Sequence, residues 1–235
     1  MIDIHSHILP GVDDGSENFE ESLELIRMAL ACGVHDIILT PHFMFGTEYN
    51  VENEKKILLY HELKQKILDE NINVNLYLGN EVFVENNMLD LLKQNKILTL
   101  NDSKYLLFEV PRHDEFRGLY DIVFELETNG ITPILAHPER YRFIMENPSV
   151  VEKLKEQGVL FQSNLSSFLG VYGKQVQETA FLLMKHHCVE FIASDIHKPK
   201  HCHYKNIEAV QRLLKKFMSA DEILEVFETN PAKVI

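Results

Sequence analysis

The sequence lacks the features that mark several classes of protein. No apolar run reaches the roughly 18–20 residues that a membrane-spanning helix needs, and the N-terminal residues lack the basic and then apolar pattern of a signal peptide. The three cysteines, Cys32, Cys188 and Cys202, have neither metal-knuckle spacing nor the even count of a disulfide framework. We therefore expect a protein of the reducing cytoplasm, with no direct membrane insertion.

Charge and missing motifs exclude further functions. The formal net charge of −13 disfavours a nucleic-acid partner, because an acidic surface repels phosphate backbones. Neither G-x-x-x-x-G-K nor G-x-G-x-x-G occurs, so nucleotide-binding loops of those types are unsupported. The Cys-x5-Arg motif of cysteine-dependent phosphatases is also missing, since the positions six residues after the cysteines hold Ile38, Ser194 and Glu208.

What the sequence does contain is a repeated order of apolar run, polar cluster and helical pattern. Within these runs apolar and polar residues alternate too little for a sheet with one solvent-exposed face. Such runs are typical of strands that are covered on both sides. These predicted strands span 2–5, 36–40, 74–79, 105–110, 132–136, 159–162 and 189–193. Between them, apolar stripes predict helices over 19–30 and 207–217, and helices are also expected at 53–70, 117–129 and 174–187. Strands alternating with helices imply parallel βαβ units, and about seven of them favour an α/β barrel.

Side chains that can bind metals stand at the ends of six predicted strands. They belong to the segments DIHSH, TPH, GNE, FEVP, AHPER and SDIH, and they are His5, His7, His42, Glu81, Glu109, His137, Asp195 and His197. The carboxyl ends of parallel barrel strands share one face, which holds the active site in barrel enzymes. Imidazole and carboxylate donors together suit manganese, iron or zinc. The sequence therefore predicts a divalent-metal site on this face.

These motifs resemble the polymerase-and-histidinol-phosphatase (PHP) superfamily. Within it they are most similar to the bacterial manganese-dependent protein-tyrosine phosphatases of capsule and exopolysaccharide operons. The resemblance runs from residue 1 to about residue 235 through MIDIHSHILPGVDDG, TPH, GNE, FEVP, ILAHPERYRF and ASDIH. It implies a single domain over residues 1–235, a distorted (β/α)7 barrel and three divalent metal ions. Manganese is the expected metal, with iron, zinc and magnesium as alternatives.

The resemblance also implies a ligand set for each ion. The first ion would be held by His5, His7, Glu81 and Asp195, the second by Glu81, Glu109 and His137, and the third by Asp14, His42 and His197. Asp14 enters this set only through the resemblance, because the spacing of the strands does not single it out.

Substrate contacts are implied as well. Arg140 and Asp195 are the expected catalytic residues, with Arg140 contacting the phosphate that a metal-bound hydroxide attacks. His113, Lys200 and His201 lie in loops near the same face and are candidates for further substrate contacts. The family usually has an arginine at the position of Cys202, and a thiol cannot replace bidentate recognition of phosphate.

The implied function is hydrolysis of phosphotyrosine in a protein partner, the C-terminal tail of a bacterial tyrosine kinase that controls polysaccharide synthesis. A small-molecule phosphomonoesterase of the histidinol-phosphatase type would share the metal site. The change at Cys202 leaves open a weakly active regulator that binds phosphotyrosine tails. A metal-dependent amidohydrolase is disfavoured, because no ligand-bearing strand end offers a bridging lysine. The oligomeric state, including a homo-oligomer, is left open.

Overall fold

The structure is a computed structural model that describes residues 1–113 and 116–235. It is an α/β fold in which parallel strands alternate with helices. The strands are β1 (Ile2–Ser6), β2 (Asp36–Leu39), β3 (His42–Phe43), β4 (Asn75–Leu78), β5 (Glu81–Phe83), β6 (Tyr105–Glu109), β7 (Thr132–Ala136), β8 (Leu160–Asn164) and β9 (Phe191–Ala193). The helices are α1 (Phe19–Leu30), α2 (Asn53–Asp69), α3 (Met88–Lys93), α4 (Leu119–Thr128), α5 (Arg142–Glu146), α6 (Ser149–Glu156), α7 (Leu165–Phe168), α8 (Lys174–Lys185), α9 (Ile207–Leu214) and α10 (Ala220–Leu224).

The strands form two sheets, and every strand pair is parallel, as βαβ units predict. One sheet has the order β1-β2-β4 and the other the order β3-β5-β6-β7-β8-β9. The chain passes from the first sheet to the second at Pro41 and again at Gly79–Asn80. Proline has no N–H to donate, which ends the pairing of β2. The short strands β3 and β5 are not predicted from the sequence, because they begin directly after these interruptions.

The first and last strands also lie side by side. Ser6 forms a parallel bridge with Ile196. The backbone N–H of Asp195 donates to the His5 carbonyl over 2.9 Å, and that of His7 donates to the Ile196 carbonyl over 2.8 Å. The two ends of the strand series are therefore in contact, and both carry predicted ligands.

Two apolar clusters form the core. The larger one packs helices against strands, with Leu25 and Ile26 of α1 and Val123 of α4 fully buried. The smaller one is made mainly of strand side chains from both sheets, which are Ile4, Ile38, Leu107, Ile134, Ala136, Phe191 and Ala193. Leu100, which precedes β6, and Val234, near the C-terminus, complete it. Both sheets thus share a single buried layer of side chains.

The helix predictions are close to the observed bounds, with informative differences. Asn18 caps α1, because its side chain accepts a hydrogen bond from the Glu21 N–H over 3.0 Å. The Glu21 carboxylate returns to the N–H of Glu17 rather than that of Asn18, so the capping box is incomplete. The helix predicted over 207–217 ends at Leu214, and Phe217 packs edge-on against Phe181 from the following turn. In the described part of the chain, no helix combines the length and apolarity needed to cross a membrane.

Candidate metal centre

The structure brings the predicted strand-end donors together. Within the described residues, three sets of donor atoms each lie within 4.8 Å of one another: His5, His7, Glu81 and Asp195; His7, Asp14, His42 and His197; and His42, Glu81 and Glu109. His137 joins the third set, since its Nε2 lies 2.9 Å from Glu81 Oε1 and 3.8 Å from Glu109 Oε2. All nine predicted ligands therefore meet in one cluster.

Glu81 lies at the centre of this cluster and is completely buried. Its Oε2 is 3.2 Å from His5 Nε2, 3.3 Å from His7 Nε2 and 3.0 Å from His42 Nδ1, yet it accepts no hydrogen bond from the described residues. Burial by itself would raise the pKa of this carboxyl, but the imidazoles of His5 and His42 hold the pKa well below its ordinary value. Glu81 is therefore a charged carboxylate with a lone pair that lacks a partner.

The hydrogen bonds of His5 and His7 test whether the cluster fits a cation. His5 Nδ1 lies 2.7 Å from the Gln162 amide oxygen, and His7 Nδ1 lies 2.7 Å from a carboxylate oxygen of Asp13. Each oxygen is an acceptor, so each Nδ1 carries a proton, and in its neutral form each ring presents a lone pair at Nε2. These two Nε2 atoms are only 3.2 Å apart. Metal-binding histidines typically donate their other ring N–H in this way, and the donor set therefore fits divalent cations.

The charges of the cluster also favour bound positive charge. Burial lowers the pKa of His5, but the carboxylates of Glu81 and Asp195 outweigh it and raise the pKa to about 9. Protons thus supply positive charge when no metal is bound, and a cation would displace them. Burial and the nearby Glu81 charge raise the pKa of Glu109 to about 7. Burial, helped by the charge of Arg140, lowers the pKa of His137 to about 4.

Two ligands are held in an uncommon backbone conformation. His137 follows β7 with φ of +36°, and Asp195 follows β9 with φ of +52°. A non-glycine residue in this left-handed region stores about 1–3 kcal/mol, and such residues cluster at functional sites.

The loop after β1 contributes a residue that sequence reasoning missed. The buried Asp13 carboxylate accepts from His7 Nδ1 and from the His42 N–H over 2.9 Å. Gly15 donates to the same carboxylate over 2.9 Å, and a Cβ at Gly15 would lie 2.0 Å from the His7 carbonyl oxygen. Only glycine fits so close to His7. The sequence feature that could have indicated Asp13 is the pair of aspartates in the segment VDDG. The family resemblance assigns a ligand role only to Asp14.

A cavity of about 220 Å³ opens onto this cluster. It is lined by Asp14, His42, Glu81, Arg112, His137, Arg140, Tyr172, Asp195 and His197. Arg140 donates from Nη1 to Asp195 Oδ2 over 2.9 Å, and its guanidinium lies 4.4 Å from the centre of the Tyr172 ring. Arg112 and Tyr172 are not predicted from the sequence, because nothing in their local pattern indicates that their loops reach the cavity.

Three further residues are predicted to contact the substrate. His113, Lys200 and His201 are exposed and are not among the described residues that line the cavity. Their contact with a substrate stays a prediction. Cys202 is buried in the larger apolar cluster, where burial raises the pKa of its thiol. Position 202 therefore belongs to the core of this chain rather than to the cavity wall.

Fold and site together define a class: α/β proteins whose parallel strands present clustered imidazole and carboxylate donors suited to divalent cations. The family model for capsular polysaccharide synthesis, CpsB/CapC, matches residues 1–235. The chain belongs to this CpsB/CapC family.

Individual relatives agree with this assignment. The tyrosine-protein phosphatase YwqE of Bacillus subtilis is 35% identical over 219 residues, covering 93% of this chain and 86% of the relative. CpsB of Streptococcus pneumoniae, also a tyrosine-protein phosphatase, is 31% identical over 242 residues, covering 100% and 98%. A solved structure from the work on YwqE and CpsB, described as unique metal-dependent tyrosine phosphatases, superimposes with a TM-score of 0.92 at 33% identity, covering 100% of this chain and 94% of the other.

Proposed function

We propose that this chain is a metal-dependent protein-tyrosine phosphatase that hydrolyses phosphotyrosine. The observation that carries the proposal is the buried cluster of imidazole and carboxylate donors, in which two Nε2 lone pairs and Glu81 Oε2 converge beside Arg140. Such a cluster holds cations next to a guanidinium that can bind phosphate. The named activity of relatives at 31–35% identity supports the same reaction.

The proposed cofactors are three divalent cations, with manganese preferred and iron, zinc or magnesium as alternatives. His5, His7, Glu81 and Asp195 would hold the first, Glu81, Glu109 and His137 the second, and Asp14, His42 and His197 the third. When bound, the cations supply an activated water nucleophile and neutralise charge on the phosphoryl oxygens.

The protein's own residues bind and orient the substrate in this proposal. Asp195 and the Tyr172 ring fix the guanidinium of Arg140, whose remaining N–H groups would donate to phosphoryl oxygens. Arg112, on the cavity wall, would add a second guanidinium in place of the family arginine that is absent at Cys202. The leaving group is a phenolate, whose conjugate acid has a pKa of about 10. Phosphotyrosine therefore needs less help from a general acid than an alkyl phosphate does.

We also propose that the two sheets form one distorted seven-stranded barrel in a single domain. β2 with β3, and β4 with β5, would each count as one interrupted strand. The parallel bridge from Ser6 to Ile196 supports closure, as does the buried layer to which both sheets contribute. Closure would explain why ligands from the first and last strands share a site.

The proposed substrate is the phosphotyrosine-bearing C-terminal tail of a bacterial tyrosine kinase that regulates capsule synthesis. The family's place in capsular polysaccharide synthesis supports this choice. The open, partly exposed wall formed by Arg112 and Tyr172 is suited to a peptide segment rather than to an enclosed small molecule. A cytoplasmic location is part of the same proposal, because all three cysteines are free thiols.

The experiment compares Mn²⁺-loaded protein on a phosphotyrosine peptide and on histidinol phosphate, before and after chelation. We expect turnover of the peptide, its loss on chelation and its return with Mn²⁺. A higher kcat/KM for histidinol phosphate would replace the proposed substrate with a small phosphomonoester. Peptide hydrolysis that survives complete chelation would overturn the metal-dependent mechanism.

A further inference from the structure

Two amide side chains of β8 connect His5 to Arg140. The Gln162 oxygen accepts from His5 Nδ1 over 2.7 Å, and the Gln162 nitrogen donates to the Asn164 oxygen over 2.9 Å. The Asn164 nitrogen donates to Asp195 Oδ2 over 2.6 Å, and the same oxygen accepts from Arg140 over 2.9 Å. Gln162 and Asn164 are completely buried. We call this path the amide relay.

The Asp195 carboxylate determines which group donates and which accepts in every hydrogen bond of the relay. An ionised carboxylate can only accept, so Asn164 must present its NH₂ group to Asp195. The Asn164 oxygen then accepts from the NH₂ group of Gln162, and the Gln162 oxygen can only accept from His5. Rotating either amide by half a turn would bring two acceptors or two donors face to face in a buried site, which is costly.

The position of the relay explains why β8 has no predicted metal ligand. Residues 162 and 164 lie two apart on one strand, so their side chains share a face, while Ser163 lies on the other. The backbone of the same residues anchors the neighbouring strand end. The Gln162 carbonyl accepts from the His137 N–H over 2.6 Å, and the Asn164 N–H donates to Glu139 over 2.9 Å.

We propose that Gln162 and Asn164 are positioning residues of the metal centre. They hold the His5 proton on Nδ1, so that the Nε2 lone pair of the neutral ring is available in the space shared with His7 Nε2 and Glu81 Oε2. They also hold Asp195 with Oδ1 toward the imidazoles and Oδ2 toward Arg140. The relay thus couples a metal ligand to the phosphate-binding arginine. This inference rests on the proposed metal-dependent function.

The test uses full-length variants that break one or both bonds of a relay residue. Gln162→Met keeps the side-chain length and removes both the acceptor for His5 and the donor to Asn164. Gln162→Glu keeps that acceptor but removes the donor to Asn164. Asn164→Asp is nearly isosteric and replaces the donor to Asp195 with a carboxylate. Ser163→Ala, on the opposite face of the same strand, is the matched control.

The first readout is Mn²⁺ affinity measured by calorimetry. Loss of such supporting hydrogen bonds typically weakens metal binding about 10- to 100-fold. We expect that loss for Gln162→Met and Asn164→Asp, a smaller one for Gln162→Glu, and none for Ser163→Ala. Affinity within about twofold of wild type in Gln162→Met and in Asn164→Asp would overturn the relay.

The second readout needs no metal and separates this inference from the proposed function. Imidazole ¹⁵N spectra of the metal-free protein, at a pH high enough to keep the rings neutral, report which nitrogen of His5 carries the proton. We expect Nδ1 in wild type and in Ser163→Ala, and a shift toward Nε2 in folded Gln162→Met. An unchanged Nδ1 proton in Gln162→Met would overturn the relay even if wild type binds Mn²⁺. Failure of wild type to bind Mn²⁺, with the Nδ1 proton lost in Gln162→Met, would overturn the proposed function and support the relay's control of the tautomer.

Discussion

The floor and the rim of the candidate site differ in burial and in how many partners their side chains have. The floor consists of His5, His7, Glu81 and Asp195, which are buried and tied to one another or to supporting side chains by hydrogen bonds. The rim consists of Arg112, Arg140 and Tyr172. Arg112 is exposed, Tyr172 is 37% exposed, and Arg140 forms an ion pair with Asp195.

This difference follows from what each region must do. Charged groups in the floor are costly to bury unless opposite charges compensate them, so each depends on its neighbours. In the rim, the exposed guanidinium of Arg112 keeps its water and can adapt to a ligand, whereas Arg140 is mostly buried and held by Asp195. A rigid floor suits cations that need fixed ligands, whereas an open rim suits a substrate presented on a larger molecule. Substitutions in the floor should therefore strongly reduce both metal binding and turnover. Substitutions in the rim should have smaller effects, mainly on turnover.

The largest effect is expected from removing the central charge of the floor. Glu81→Gln keeps the shape of the side chain but leaves several imidazoles without the carboxylate they share. We expect bound manganese to be lost and kcat/KM to fall about 1000-fold or more, equivalent to about 4 kcal/mol. Elemental analysis and a phosphotyrosine-peptide assay measure the two losses. Normal metal content with normal turnover would show that the floor does not depend on this residue.

The next effect separates the rim from the floor. Arg140→Ala removes the guanidinium that Asp195 and Tyr172 hold. We expect kcat/KM to fall about 100-fold, the usual scale for losing one preorganised donor to a charged transition state. Metal content should fall much less than in Glu81→Gln, because Asn164 still donates to Asp195 Oδ2 after Arg140 is removed, and elemental analysis checks this. Arg142→Ala is the control, because this exposed arginine pairs only with the exposed Glu146 among the described residues.

The two regions also differ in how far the sequence reveals them. His42 and Glu81 are predictable, because the ends of parallel strands meet on one face and each of these residues follows an apolar run. Gln162 and Asn164 stand at an equivalent strand end, but neutral amides carry no sign of a role near metals. Arg112 is not predictable from its own segment, because its contribution depends on where its loop comes to lie.

The fold shows the same limit. The alternating runs predict seven of the nine strands and five of the ten helices named above within a few residues, and they miss the short helices α3, α5, α6, α7 and α10. They do not reveal that Pro41 and Gly79–Asn80 divide two strands between separate sheets. That division depends on how the two sheets pair, which local periodicity does not encode. The burial of Cys202 is hidden for the same reason, since its neighbours in sequence are polar and exposed or half-buried.

A third prediction concerns the buried Lys56, which contacts Asn80, the residue before Glu81. Lys56 is 1% exposed and donates to the Asn80 side chain over 2.8 Å, and Asn80 donates to the Pro41 carbonyl over 2.8 Å. Burial lowers the pKa of Lys56 from 10.5 to about 7. Between these two values the unfolded chain binds the extra proton, so the free energy of unfolding rises with pH. Below about pH 7 both states are protonated and this contribution is constant.

The slope of this rise is up to about 1.4 kcal/mol per pH unit. Lys56→Met should remove it, and Lys55→Met, at the exposed neighbouring position, should leave it intact. Urea unfolding at several pH values between 7 and 10 measures the difference between the variants. Parallel pH profiles for wild type and Lys56→Met would show that the buried amine does not titrate in this window.

A smaller effect is expected at the exposed part of the rim. Arg112→Ala should raise KM for a phosphotyrosine peptide about fivefold, because a solvated guanidinium contributes less than a held one. Salt screens exposed charges, so the difference from wild type should shrink as ionic strength rises from about 0.05 to 0.5 M. Arg117→Ala, an exposed arginine outside the cavity lining, is the control. A loss confined to kcat, with KM unchanged, would remove Arg112 from substrate binding.

The smallest effect is expected where the sequence alone suggests substrate contacts. Lys200→Ala and His201→Ala should each change kcat/KM by less than about twofold, because both side chains are exposed and screened by solvent. Cys202, which follows this turn, directs its side chain into the apolar core, and neither Lys200 nor His201 is among the described residues that line the cavity. Peptide kinetics at physiological ionic strength measure both variants. A loss of kcat/KM as large as that of Arg140→Ala would show that this turn is part of the substrate-binding rim. The contrast between a closed floor and a small open rim would then no longer hold.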